Sequence, residues 1–376
     1  MCIIKKVTSI LKYEVMKDII ANKLEPFIFL YITERCQLRC RHCYMGDRLS
    51  NPKEMSLEKI IKILNYFKVI GHYKLYLLGG EPLLHPQIKE IITIANKIGY
   101  EVVVTSNGQF DKKILQDYTP ELIHSFSFSI ESSNKKTHDY IRGKGTFKRL
   151  IDNIKIVQSQ GYQARIVSTV SNINVNKLTD LIDYSARVLK VSMLSFHYFS
   201  PIGQGEEYIN KLILPEDWIN FCKEIEEYPI PENFWVYYPP TFVYSDELSY
   251  LTERGYKGCT ARWVERLAIL PSGQIYACSV FFDTNMNFAL WRNKKMEIRD
   301  SKNTELRSVY KVNDNCMDCP NKNQCFGGCG AYRDLKKKFP GIISSDNCKR
   351  KIIPLCPLWS TYAGNNHPIS KIQELR

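Results

Sequence analysis

Three cysteines stand close together in Thr33-Glu-Arg-Cys-Gln-Leu-Arg-Cys-Arg-His-Cys-Tyr44, spaced C-x3-C-x2-C at Cys36, Cys40 and Cys43. Three thiolates on one short loop can hold three corners of a four-iron cluster and leave the fourth iron open to a small molecule. A zinc knuckle is the other chemistry such a loop allows, and it calls for a fourth Cys or His at similar spacing. His42 adjoins Cys43 directly and is a poor fourth ligand. The spacing therefore favours iron and sulfur over zinc without deciding between them.

Eight of the thirteen cysteines fall between Cys259 and Cys356. They read Cys259-x13-Gly273-x4-Cys278, then Cys316-x2-Cys319-x5-Cys325-x3-Cys329, then Cys348 after a gap of 18 residues, then Cys356. The opening segment Met1–Lys12 interrupts its apolar residues with lysines and lacks a small-residue cleavage site, so it is not a secretory signal. A cytoplasmic location follows as the expectation. Clustered cysteines in a reducing compartment argue for metal ligation rather than disulfides. Cys2 and Cys222 stand alone and read as ordinary small residues.

No apolar run approaches the ~18–20 residues that cross a bilayer, so no membrane partner is expected. The net charge of +13 suits an acidic partner such as RNA or an acidic peptide. The basic residues are scattered over amphipathic surfaces rather than gathered in one run, and no nucleic-acid partner is expected.

The elements that must position these residues follow a βα rhythm. Phe27–Ile32 is an apolar run that reads as a buried strand, and the cysteine loop follows it. Ser56 is a plausible cap for a helix whose apolar face is Leu57, Ile60, Ile61, Leu64 and Phe67. Further strands are predicted over Tyr73–Leu78, Glu101–Thr105, Ile123–Ile130, Ala164–Val170 and Ser192–Tyr198. Helices are predicted over Gln87–Ile98, Asn134–Ile141, Phe147–Ser159 and Lys177–Leu189. Such alternation means parallel βαβ units, in an open sheet or a partial barrel. The candidate chemistry falls just after strands 1 to 4, on the carboxyl edge where such folds place their sites.

The rhythm stops after Pro201-Ile-Gly-Gln-Gly205. One helix, Trp218–Glu227, and an aromatic span, Tyr228–Tyr244, read as a connection across the barrel. Trp263–Tyr276 reads as a β-hairpin turning at Pro271-Ser-Gly273. The expected segments are 1–26, a helical extension with its helix at Ile10–Ala21; 27–210, the βα unit; 211–258, a bridge; 259–356, the cysteine-rich part; and 357–376, a tail.

Gly79-Gly80-Glu81-Pro82 ends strand 2, Ser106-Asn107-Gly108 ends strand 3, and Ser129-Ile-Glu131 ends strand 4, with His138, Asp139, Arg142 and Gly143 beyond it. Alone, each is a common turn. Together with the cysteine loop they resemble the radical S-adenosylmethionine (SAM) enzymes. In that family the loop is C-x3-C-x-Φ-C, and His42 holds the usually aromatic Φ position. Ser106 replaces the usual Thr of a TNG turn, and Ser132 stands where Gly is usual. The later cysteine spacing, with Gly273, is similar to the SPASM domain that follows some of these barrels.

The resemblance implies an α/β fold: a partial (β/α)6 TIM-like barrel of the radical SAM type, then a small cysteine-rich SPASM domain with a β-hairpin. It implies SAM and [4Fe–4S] clusters as cofactors, one cluster on Cys36, Cys40 and Cys43. Gly79, Gly80, Glu81 and Pro82 would hold the methionyl amino group, Ser129 the ribose and Arg142 the SAM carboxylate. His42 and Asn107 would lie near the ligand, with Val167 and Thr169 as weaker adenosine contacts. Cys316, Cys319, Cys325 and Cys348 would hold one auxiliary cluster, and Cys259, Cys278 and Cys329 the other. Some relatives carry a further cysteine just before the position of Cys259. This chain has none there, leaving either an open iron or closure by Cys356.

Enzymes of this type mostly modify peptides. The expected activity is reductive SAM cleavage and hydrogen abstraction that crosslinks or otherwise modifies a ribosomally made precursor peptide. An external electron donor such as flavodoxin or ferredoxin is an expected partner, and the precursor is either bound directly by the barrel or brought by a separate peptide-recognition protein. Sulfatase-maturing relatives carry an Asp after the second SPASM cysteine, where this chain has Ser279. Tyr276 and Glu265 are candidate proton acceptors. The alternatives are a radical enzyme acting on a small molecule such as a tetrapyrrole, a non-radical iron–sulfur electron carrier, and, for the later cysteines, a pair of zinc ribbons.

Overall fold

The structure, a computed structural model, describes residues 27–299 except 263, 265 and 283, together with 303–310, 316, 318–325, 327–335, 338–339 and 352–363. The predicted helix Ile10–Ala21 and Cys2, Trp263, Glu265 and Cys348 lie outside the described residues, as does the chain beyond 363.

Seven strands run in chain order across one sheet: β1 (Phe27–Thr33), β2 (Lys74–Gly79), β3 (Glu101–Ser106), β4 (Ser125–Ser129), β5 (Ala164–Val170), β6 (Met193–Tyr198) and β7 (Trp235–Tyr238). Each is parallel to the one before. Helices α1 (Leu57–Val69), α2 (Ile88–Ile98), α3 (Lys135–Arg142), α4 (Thr146–Ser159) and α5 (Leu178–Asp183) lie in the crossovers.

The strands alternate in burial, because one face packs under the helices and the other lines an interior cavity. In β5 the buried set is Ala164, Ile166, Ser168 and Val170, while Arg165, Val167 and Thr169 are half-buried and line the cavity. In β6 the cavity set is Met193, Ser195 and His197.

Ser56 caps α1, its hydroxyl accepting from Lys59 N at 3.3 Å. The buried stripe of α1 is Ile60, Ile63, Leu64 and Phe67. Ile63 replaces the predicted Ile61, because the helix turns that side toward the sheet. α2 buries Ile88, Ile91, Ile92 and Ala95 and ends at Gly99 with φ +91°, a left-handed value that favours glycine. Each such aliphatic side chain contributes about 1.5–3 kcal/mol by leaving water. The predicted helix Lys177–Leu189 is α-helical only to Asp183 and continues as a wider π turn, Tyr184–Val188.

The second half departs further from expectation. The span read as a bridge contains β7, which extends the parallel sheet, and β8 (Phe242–Tyr244). The Trp-Val-Tyr-Tyr alternation of β7 was masked in sequence by the prolines on either side. The predicted hairpin exists as β9 (Arg266–Ile269) and β10 (Gln274–Tyr276), with Gly273 N donating to Leu270 O at 2.8 Å. β9 then pairs in parallel with β1, Phe27 opposite Arg266. The cysteine-rich part thus continues the sheet and covers an edge that would otherwise stay open. β11 (Ala289–Arg292), β12 (Lys295–Ile298) and β14 (Thr361–Ala363) complete the order β12-β11-β10-β9-β1-β2-β3-β4-β5-β6-β7-β14, which does not close into a barrel. β13 (Ile352–Pro354) pairs with β8 in a separate two-stranded sheet.

Candidate functional site

The cysteine loop leaves the carboxyl end of β1 and is clamped from two sides. On one side Gly80 N donates to Thr33 O at 2.9 Å and Glu81 N to Arg35 O at 2.8 Å. A Cβ on Gly79 would lie 2.3 Å from Thr33 O, and one on Gly80 would lie 2.4 Å from Arg35 O and 2.8 Å from Cys36 Cβ. Both glycines are needed because two backbones meet here, whatever ligand they also face. On the other side Gln204 N donates to Cys43 O at 2.8 Å. Gly203 has φ +58°, and a Cβ there would lie 2.7 Å from Tyr44 O. The Pro201–Gly205 stretch, read in sequence only as the end of the rhythm, is the second clamp.

Cys36, Cys40 and Cys43 all line one cavity of about 600 Å³. Leu38 N donates toward Cys36 Sγ at 3.4 Å and Asn107 Nδ2 at 3.6 Å. Arg142 Nη1 stands 3.9 Å from Cys40 Sγ. Burial pushes both the Cys36 and Cys40 thiols up to about 11. Binding to metal reverses this, since a coordinated thiol is deprotonated. The N–H donors and the Arg142 cation fit a negatively charged group on these sulfurs. Among the described residues no group of three or more Cys, His, Asp or Glu is set around a single ion. A four-iron cluster asks for thiols set wider than one tetrahedral ion does.

Behind the loop stands a carboxylate that sequence reasoning named but gave no role. Glu131 is fully buried at the end of β4. Its Oε1 lies 2.9 Å from His42 Nε2 and accepts from Arg142 Nε at 2.7 Å. Its Oε2 accepts from Thr169 N at 2.7 Å. One side chain therefore joins the cysteine loop, β4, α3 and β5. Although burial opposes it, the Arg142 cation, with the His42 hydrogen bond, holds its carboxyl far below the usual range. His138 Nδ1 accepts from Glu131 N at 3.3 Å, so His138 supports this network rather than the cavity. Asp139 accepts from Gly145 N and Phe147 N and steadies the start of α4. A buried Glu ending an apolar strand, with Arg eleven residues on, was the available signal.

Of the predicted SAM contacts, Gly79, Gly80, His42, Asn107, Ser129 and Arg142 line the cavity, as do Val167 and Thr169. Glu81 and Pro82 do not line it. Glu81 is buried and accepts from Asn107 N at 2.7 Å, Ser106 Oγ at 2.9 Å and Leu83 N at 3.3 Å. Burial raises its carboxyl to about 7. Tyr276 also stands off the cavity wall and donates to Thr284 O at 2.7 Å. His197, unremarked in the sequence, is exposed to the cavity, where the surrounding wall and the Arg266 cation push its imidazole below the usual histidine range.

The cavity reaches from the three cysteines to the later part of the chain, where Thr260, Ala277, Ser279 and Leu358 form its wall. Its described wall carries Arg142, Arg165 and Arg266 and no Asp or Glu. Just outside it, Cys259, Cys278, Cys329 and Cys356 are buried within mutual electrostatic reach. Glu305, fully buried, accepts from Ala277 N at 2.6 Å and Cys278 N at 3.0 Å and sets the Cys278 turn. Cys316, Cys319 and Cys325 form a second group.

The chain is also similar to known proteins. Residues 30–184 match the profile of the radical SAM superfamily. It is 27% identical over 255 residues to the antilisterial bacteriocin subtilosin biosynthesis protein AlbA of Bacillus subtilis, covering 66% of this chain and 54% of that protein. It is 29% identical over 181 residues to the AdoMet-dependent heme synthase of Methanosarcina barkeri, covering 47% of this chain and 51% of that one. The chain thus spans about half the length of these curated relatives. Its fold is shared with Streptococcus suis SuiB, solved bound to precursor peptide SuiA: TM-score 0.66, 19% identity, 91% of this chain and 79% of that one.

Proposed function

We propose that this chain is a radical SAM peptide maturase that modifies a ribosomally made precursor peptide. The observation that carries the reading is the single cavity joining the Cys36–Cys40–Cys43 loop to the wall beside the later cysteines. A substrate held in it meets both. The SuiB complex with a precursor peptide and the AlbA likeness support a peptide as that substrate.

Cys36, Cys40 and Cys43 would hold the SAM-binding [4Fe–4S] cluster. Cys259, Cys278 and Cys329 would serve one auxiliary cluster, and Cys316, Cys319, Cys325 and Cys348 the other. With SAM and reductant, the chemistry supplied is cleavage to methionine and a 5′-deoxyadenosyl radical that takes hydrogen from unactivated carbon.

The chain's own residues orient and shield. Gly79 and Gly80 would present backbone to the SAM amino group, with Glu81 and Pro82 holding that turn from behind. Ser129 would face the ribose, Arg142 the carboxylate, and His42 and Asn107 would flank the ligand. Tyr31 and Tyr44, hydrogen-bonded at 3.2 Å, pack edge-on against Phe282 and close the wall against water. Ser279 on that wall, with no carboxylate among the described residues that line it, argues against the sulfatase-type base. His197 is the better-placed proton acceptor. The chain would work in the cytoplasm with flavodoxin or ferredoxin as donor and, in some systems, a separate recognition protein. No helix among the described residues is long and apolar enough to cross a membrane.

The test is 5′-deoxyadenosine formation by anaerobically reconstituted protein, with and without the short peptide encoded beside its gene. Stimulation by the peptide, with loss of hydrogen mass from it, is expected. Slow turnover unchanged by peptide would point to a small-molecule substrate. None at all in cluster-loaded protein would leave an electron carrier.

A further inference from the structure

Four cysteines, not three, meet beside the cavity. Cys356 follows β13, whose partner β8 belongs to the stretch read as a bridge. Leu355 N donates to Thr241 O at 2.7 Å, and Arg266 Nη1 holds Leu358 O at 3.3 Å, so Cys356 is pinned from both sides. Cys329 N donates to Pro354 O at 3.2 Å, two residues before Cys356. Gly328, at φ +68°, permits this approach: a Cβ there would lie 2.8 Å from Pro354 O. The Cys356 thiol lies 3.6 Å from Oγ1 of Thr260, the residue next to Cys259. All four thiols are at most 5% exposed and none is in a disulfide. Four buried, free thiols drawn from four separate segments have little to do in a core except share a metal group.

We infer that Cys356 is the fourth ligand of the auxiliary cluster held by Cys259, Cys278 and Cys329, and that this cluster is closed. The inference rests on the auxiliary-cluster reading above. A filled coordination set leaves no iron for a substrate thiol or amide. A peptide in the cavity would then face this cluster across the Pro357–Ser360 wall rather than bind it, and its cysteines, if any, are not required for docking there.

The test starts from a C36A/C40A/C43A parent, which removes the SAM-binding cluster and leaves auxiliary iron alone, about eight irons per chain for two four-iron clusters. Mild ferricyanide oxidation under argon is followed by electron paramagnetic resonance. A closed cluster keeps its irons and stays silent, whereas an open corner is lost and leaves a [3Fe–4S] signal. The parent should stay silent. Adding C356A should give about one such spin per chain and release about one iron in eight. Should C356A load poorly, C356V, which fills the space without offering a ligand atom, is read the same way. C222A, a buried thiol elsewhere, should change nothing.

A [3Fe–4S] signal already present in the parent, or a C356A spectrum identical to the parent's, would overturn the closure while leaving the auxiliary clusters in place. A parent that binds no iron would overturn the auxiliary-cluster reading and the inference with it.

Discussion

His42 Nε2 lies 2.9 Å from Glu131 Oε1, which ties the cysteine loop to the end of β4 through a carboxylate with no exposure to solvent. Arg142 holds the same oxygen through Nη2 at 2.6 Å. Glu131→Gln leaves the Arg142 cation buried without its counter-charge, at a cost of about 3–5 kcal/mol. The expected result is a large drop in thermal midpoint and weaker SAM binding by calorimetry. Pairing it with Arg142→Met should recover part of the stability, because the orphaned charge is gone. Additive losses in the double variant would refute the coupling.

The Gly80 clamp predicts a selective loss. Gly80→Ala must push Arg35 O or Cys36 away, since its Cβ has no room. The cost is about 1–3 kcal/mol of overpacking. The iron held by the first loop should fall while the auxiliary iron remains, as read by iron analysis against C43A. Full iron and normal SAM cleavage would show that the two turns can part freely.

Cys43→Ala should abolish 5′-deoxyadenosine formation and leave the later clusters visible spectroscopically. Retained cleavage would remove the loop from the reaction.

Glu81 supplies a pH dependence in cluster-free protein. Burial raises its folded-state carboxyl from 4.5 to about 7, so the folded chain binds the proton more tightly than the unfolded one. Stability from this group is highest below pH 4.5 and is lost as pH rises to 7, by about 3 kcal/mol in all. Glu81→Gln should flatten that stretch of the curve in thermal melts between pH 4.5 and 8. Parallel curves for the two proteins would contradict the assignment.

His197 faces the cavity, and its surroundings favour the neutral imidazole. As the proton acceptor it should matter after hydrogen abstraction, not before. His197→Ala should keep 5′-deoxyadenosine formation within about two-fold and cut modified peptide per deoxyadenosine by about 10²-fold or more. Equal loss of both products would make it a SAM-positioning residue instead.

Spacing within one loop is a local property, so Cys36, Cys40 and Cys43 and the Gly79–Gly80 turn could be read directly from the chain. The same holds for β1 to β6, whose apolar runs and intervening amphipathic helices repeat without interruption. The family resemblance also pointed to Ser129 and Arg142, and both line the cavity. What it could not decide depends on pairings between residues far apart. β9 lies against β1 across more than 200 residues of chain, and only that pairing brings Arg266 into the cavity. Cys356 reaches Cys259 only because β13 pairs with β8. Glu131 and His197 are ordinary residues by type. Their roles come from complete burial beside Arg142 in one case and exposure to an interior cavity in the other, and burial is a property of the folded chain alone.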